Sequence, residues 1–177
     1  MDYFCNKHKY KTAMKKIGLL SDTHGFIDGD YFKFFNDVDE IWHAGDFGNL
    51  ECFEKLERFK PLRAVYGNID GQFVRLRTNE KLRFTIEGVS VYMIHIGGYP
   101  GNYSRFVKPE IFNNPPKLFI SGHSHILKVM YDKSLGLLHI NPGAAGNSGF
   151  HKVKTIVRFE ISDNNISNLE IFEKRRN

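Results

Sequence analysis

Ser121-Gly122-His123-Ser124-His125 sets two imidazoles two positions apart, directly after the apolar run Leu118-Phe119-Ile120. Two histidines alone decide nothing, but the chain carries more residues of related chemistry at similar places. Asp22 and His24 follow the apolar run Ile17–Leu20, and Asp46 follows Glu40–His43. Asn68 and Asp70 follow Leu62–Tyr66, and His95 ends a later apolar run. Carboxylate oxygens and imidazole nitrogens are the donors that a divalent cation of borderline hardness takes. A carboxylate has two oxygens, so one aspartate can bridge two cations, while the Asn68 amide offers an oxygen without added negative charge. In Asp22-x-His24 an extended segment would turn both side chains the same way, and His123-x-His125 repeats the spacing. Gly25, Gly45, Gly67 and Gly122 flank these residues and permit tight turns and close backbone approach.

Such residues need a scaffold that gathers strand ends. The first half reads as strands at Ile17–Leu20, Glu40–His43 and Leu62–Tyr66, with a weak helix over Asp30–Phe35 between the first pair. Between the second pair, Cys52, Phe53, Leu56 and Phe59 recur at helical spacing, Asn49 is a capping residue and Pro61 lies beyond the end. This β-α-β-α-β order predicts a parallel, helix-covered sheet, and ligands collect at the carboxyl ends of strands in such sheets. The pattern then changes. Leu82–Ile86 alternates, Glu87-Gly88 turns, and Val89–Ile96 returns as a hairpin strand. A helix is expected near Tyr103–Phe112, ahead of Pro115-Pro116. Leu118–Ile120, Val129–Asp132, Leu137–Ile140, Val153–Glu160 and Ile166–Phe172 read as strands, so a second sheet should pack on the first. No repeat or linker interrupts the chain, and its 177 residues suit one domain. That domain is placed at 14–177, with the polar, aperiodic residues 1–13 read as an extension and Met14 as a candidate start.

Composition excludes several classes. The net charge of +5 comes from lysines and arginines spread along the chain that bunch only at the ends, without a basic stripe alternating with aromatics, so nucleic acid is not expected as a partner. Cys5 and Cys52 have no pairable spacing, which fits a reducing compartment. No apolar stretch approaches the ~20 residues of a membrane span, and no export signal is evident. A cytoplasmic location without a membrane partner is therefore expected. Within strands, His43 and His139 read as core or supporting residues; His8 and His151 read as solvent-facing, and Cys52 as packing.

Taken together, Ser21-Asp22-Thr23-His24-Gly25, Gly45-Asp46, Gly67-Asn68-Ile69-Asp70, His95, Gly122-His123-Ser124-His125 and Asn141-Pro142-Gly143-Ala144 resemble the motifs of the calcineurin-like metallophosphoesterases. Among these the chain is similar to the small YfcE-type phosphodiesterases. The resemblance implies a four-layer αββα sandwich of two mixed sheets flanked by helices. It also implies two divalent cations, with Mn²⁺ expected first and Fe, Zn²⁺ or Ni²⁺ as alternatives. The first would be held by Asp22, His24, Asp46 and His125, and the second by Asp46, Asn68, His95 and His123, with Asp46 bridging. Asp46 and Asn68 would be the catalytic ligands, and Asp70 would orient an imidazole behind the centre. The cations would activate a water to hydroxide in line with phosphorus. Substrate-binding residues are not assigned.

Three departures from the family pattern bear on substrate. Many phosphomonoesterases read Gly-Asn-His-Glu where this chain has Gly67-Asn68-Ile69-Asp70, so the histidine that serves the leaving group is missing. The loop after His95 is altered, reading Ile96-Gly97-Gly98-Tyr99-Pro100-Gly101, and Ala144 stands where Ser is common. A small phosphodiester or nucleotide-like substrate with a good leaving group is expected, with homo-oligomerisation left open. A phosphomonoesterase is the nearest alternative. A nuclease would need added capping and DNA-binding parts. A protein-binding scaffold like Vps29 would need an impaired metal site, whereas every expected ligand position here carries a ligating side chain.

Overall fold

In the computed structural model, residues 14–176 are described. Residues 1–13, with the expected extension, Cys5 and His8, lie outside them. The first half builds β1 (Lys15–Leu20), α1 (Gly29–Phe34), β2 (Glu40–His43), α2 (Leu50–Phe59), β3 (Leu62–Ala64) and α3 (Gln72–Arg77). β4 (Lys81–Ile86) and β5 (Val89–Ile94) form the expected hairpin, followed by a small hairpin of β6 (Gly98–Tyr99) and β7 (Asn102–Tyr103). After α4 (Lys108–Asn113) come β8 (Leu118–Ile120), β9 (Leu127–Asp132), β10 (Leu137–Pro142), β11 (Val153–Ser162) and β12 (Asn165–Arg175).

These strands form two five-stranded sheets, ordered β12-β11-β1-β2-β3 and β4-β5-β8-β10-β9. Both are mixed. β1, β2 and β3 run parallel while β11 lies antiparallel to β1; β5, β8 and β10 run parallel between antiparallel edges β4 and β9. Ile17, Leu19 and Trp42 of the first sheet meet Val91, Met93, Leu118 and Ile120 of the second in the central core. The other face of the first sheet is covered by α1, α2 and α3 through Tyr31, Phe53, Leu56 and Val74. The other face of the second is covered by α4, where Val107 and Ile111 pack on Tyr92 and Phe119. The result is the expected four-layer sandwich. Each large apolar side chain buried in it contributes about 1.5–3 kcal/mol.

Several elements differ from the sequence reading: the β6–β7 hairpin was not expected, and β11 and β12 join the first sheet. The helix expected from Tyr103 begins only at Lys108, because Tyr103 is committed to β7 and Pro109 suits a first helical turn. α3 was not expected: its only buried side chain is Val74, so it shows no apolar stripe.

One polar tie fastens α1 to the C-terminal strands. Asp28 caps α1 by accepting from the Asp30 N–H, and its carboxylate also takes Lys154 Nζ at 3.1 Å and Lys174 Nζ at 2.9 Å. Burial pushes the Asp28 carboxyl up, but hydrogen bonds from Lys174, the Asp30 backbone and Lys154 outweigh it and hold the pKa at about 2. Lys154 is itself buried, so Asp28→Asn strands a cation and is expected to cost about 2 kcal/mol. A depressed carboxylate pKa stabilises above its unfolded value of 3.8 and stops doing so as pH falls through about 2. Urea unfolding should therefore show the full penalty at pH 6 and a shrinking one below pH 3.8.

Candidate metal centre

The site is assembled by backbone pairing between loops at the carboxyl ends of the strands. The loop after β1 is laced to the loop after β2: Asp22 N–H donates to Gly45 O, His24 N–H to Asp46 O and Gly25 N–H to Phe47 O. The loop after β8 is tied to both sheets, with Gly122 N–H on His95 O and His123 N–H on the Asp22 carboxylate at 3.1 Å. At Gly67 a Cβ would overlap the Asp46 carboxylate, so only glycine lets the third loop come so close.

Two groups of donors result. Asp22, His24 and His125 offer ligand atoms within 4.8 Å of one another, as do Asp46, His95 and His123. Asn68 joins the second group, its Oδ1 lying 3.1 Å from His95 Nε2. Asp46 stands between the groups: its Oδ2 is 3.3 Å from His95 Nε2 and 3.9 Å from His24 Nε2. All the residues singled out as ligands from the sequence thus meet at one edge.

The backbone achieves this differently from the expected extended segments. Asp22, His24, Asp46, His123 and His125 all have φ between 47 and 67°. That left-handed conformation is uncommon outside glycine and costs about 1 kcal/mol or more per residue. In the loop after β8 it sends the two imidazoles to different groups, so His123-x-His125 does not repeat the geometry of Asp22-x-His24.

The donor set fits a cation. Asp22 Oδ1 is buried without a hydrogen bond although His125 Nε2 is 3.2 Å away. His24 Nε2 and His125 Nε2 face each other at 3.2 Å. His95 Nδ1 lies 2.8 Å from the Ala44 carbonyl, which takes the proton there and leaves the Nε2 lone pair facing the Asp46 and Asn68 oxygens. Lone pairs converging in this way are held together by positive charge. Contact with Asp22 raises the pKa of His24 despite burial, and in His95 burial is outweighed by the contact with Asp46 and the charge of Asp22. Burial pushes the Asp22 carboxyl up, but His125 and His24 hold it well below the usual range. In Asp46 burial is likewise overcome by His95.

Several supporting residues correct the sequence reading. Among the described residues Asp70 orients no imidazole; its buried carboxylate accepts the backbone N–H groups of Asp46, Gly48 and Gly67 at 2.8–3.0 Å. His151 is not solvent-facing, because its Nε2 meets Gly146 O at 3.0 Å and its ring packs on His125. His43 is a core residue as expected: its ring stacks on Phe47, Nδ1 accepts from Gly45 N–H and Nε2 meets Thr23 Oγ1, while burial brings its pKa down to about 3. Arg75 was not anticipated. It donates to the Gly67 and Asp70 carbonyls and lies over the Tyr66 ring, pinning the loop that carries Asn68.

A four-layer sandwich that gathers carboxylates and imidazoles from both sheets at one edge defines a divalent-metal site of the hydrolase type. The calcineurin-like phosphoesterase superfamily domain matches residues 14–164. The chain belongs to that superfamily, whose members use divalent metals to hydrolyse phosphoester bonds. It is 31% identical over 135 residues to a probable metallophosphoesterase of Methanothermobacter thermautotrophicus, spanning 72% of this chain and 76% of that protein. Its fold is similar to an archaeal phosphodiesterase, with a TM-score of 0.71 at 22% identity over 90% of this chain and 99% of that chain. It is also similar to the Zn²⁺ complex of Vps29 from Entamoeba histolytica, with a TM-score of 0.71 at 17% identity over 92% and 99% of the two chains.

Asp70 supplies a direct check on this construction. Asp70→Ala removes the acceptor shared by the buried N–H groups of Asp46 and Gly67 and the part-buried N–H of Gly48, and should cost about 3 kcal/mol in urea unfolding. Calorimetric titration with Mn²⁺ should show affinity falling roughly 10–100-fold, because the Asp46 backbone loses its anchor.

Proposed function

We propose that this protein hydrolyses phosphodiesters with a pair of divalent cations, Mn²⁺ foremost. One would be held by Asp22, His24, Asp46 and His125, the other by Asp46, Asn68, His95 and His123. The observation that carries this reading is the placement of Asp46 between two complete donor groups. When bound, such a pair supplies an activated water and takes up charge from the phosphoryl oxygens.

The chain's own residues define the rest. The Ala44 carbonyl fixes the His95 tautomer so that Nε2 faces the centre. Ser21 Oγ donates to the Gly45 carbonyl and Ser124 Oγ accepts from Asn141 Nδ2, so neither is held as an activated nucleophile. Ile69 is half-exposed beside the site and has no proton to give; its N–H donates to Asp46 Oδ1. Substrates whose leaving group is good in itself, or whose departure a cation would assist, suit this site, which points to aryl phosphodiesters in the first case and cyclic nucleotides in the second. Neither nucleic acid nor a membrane is part of the proposal. Among the described residues no helix is long and apolar enough to cross a membrane. A complete donor set argues for catalysis over a purely scaffolding role.

A screen of Mn²⁺, Fe²⁺, Zn²⁺ and Ni²⁺ against 4-nitrophenyl phosphate and bis(4-nitrophenyl) phosphate tests this directly. The diester is expected to be cleaved faster, and Asp46→Asn to abolish turnover; a fully active Asp46→Asn would sink the bridging role. His123→Ala and His125→Ala should each lose one cation by elemental analysis, from different halves of the centre. Two cations retained in both variants would refute the division of ligands.

A further inference from the structure

Beside the metal centre, on the second sheet, lies a cavity of about 440 Å³ that the proposed chemistry does not use. Its wall runs from His123 to Lys128 and His139, beneath the β6–β7 hairpin formed by the altered loop after His95. Its size suits a small organic ligand.

The polar lining is out of balance. His139 is fully buried, and neither ring nitrogen has a well-formed hydrogen bond. Ser104 Oγ, buried in the same wall, also has no partner. Buried polar groups short of good partners are costly, so His139, whose one weak partner is the Phe119 backbone, and Ser104 around one cavity indicate a ligand rather than packing. Two cations, Lys128 and Arg105, line the same space, and among the described residues neither is within ion-pair distance of a carboxylate. Lys128 Nζ instead sits 3.3 Å from the centre of the Tyr99 ring, so the hairpin holds the ammonium over the cavity. Burial brings the His139 pKa down to about 4, against the pull of the Phe119 backbone and helped by the charge of Lys128. A neutral imidazole can both donate to and accept from a ligand.

We infer that this cavity binds an anionic group, a phosphate or a carboxylate, carried on the ester arm of the substrate whose phosphodiester lies at His123. Lys128 and Arg105 would neutralise it, and His139 with Ser104 would hydrogen-bond it. The anion site stands on the cavity alone; only its assignment to a substrate arm rests on the phosphodiester reading.

Two measurements test it. Inorganic phosphate is titrated into metal-stripped protein while the His139 imidazole is followed by long-range ¹H–¹⁵N spectra, its signals assigned with His139→Gln. Saturable movement is expected in the wild type and loss of at least tenfold in affinity in Lys128→Met/Arg105→Met, both of which replace accessible side chains. Unmoved His139 signals overturn the site whether or not any diester is cleaved. Thymidine 5′-(4-nitrophenyl phosphate) is then compared with its 3′-phosphorylated form. The double variant should raise KM about tenfold for the phosphorylated substrate only, with kcat and the kinetics of bis(4-nitrophenyl) phosphate unchanged. Phosphate binding with equal KM effects on both substrates would overturn the substrate-arm assignment and leave a site for free anions.

Discussion

Asp22, Asp46 and Asp70 bury three carboxylates at one sheet edge. A buried charge persists only when donors or cations face it. Asp70 is satisfied by three backbone N–H groups, which thereby become a rigid frame for the loops after β2 and β3. Asp22 and Asp46 are given imidazoles on their open sides, and one Asp22 oxygen is left without any hydrogen bond. The difference separates their work. The carboxylate saturated by the backbone builds the loops, and the two left partly open face the space where a cation can sit.

Neither donor group belongs to a single sheet. Asp22 and His24 come from the first sheet and are completed by His125 of the second; Asp46 comes from the first and is completed by His95 and His123 of the second. The site therefore reports on how the sheets are packed. A small slip of Trp42 and Ile17 against Met93 and Ile120 would pull both groups apart together. Close-packed interiors resist such slips, which is what lets irregular loops hold fixed distances.

Much of this was legible in the sequence because strand ends carry a strong signal. Apolar runs that stop at Asp22, Asp46 and Asn68 gave both the first sheet and its chemistry, and the Leu82–Ile94 hairpin showed as alternation around Glu87-Gly88. What stayed hidden lacked a periodic signature. α3 turns Phe73 and Leu76 outward and buries only Val74, so its six residues show no stripe. The β6–β7 strands are two residues each, too short to alternate. β11 joins the first sheet from far along the chain, a pairing that local pattern does not encode. Asp70 read as the partner of an imidazole because sequence shows its type and not the three N–H groups that claim it.

The left-handed backbone at Asp22, His24, Asp46, His123 and His125 has a consequence for how this chain can drift. Glycine is at ease in that conformation, whereas aspartate and histidine adopt it only at a cost. At His24, His123 and His125, whose side chains accept no backbone hydrogen bond among the described residues, selection for stability alone would therefore favour glycine, whereas Asp22 and Asp46 also hold the His123 and Ile69 N–H groups. A duplicated copy released from holding cations would have a downhill path towards an inert sandwich of the same shape. In this chain all five positions carry aspartate or histidine, so the donors of the centre are held at a backbone cost that glycine would avoid.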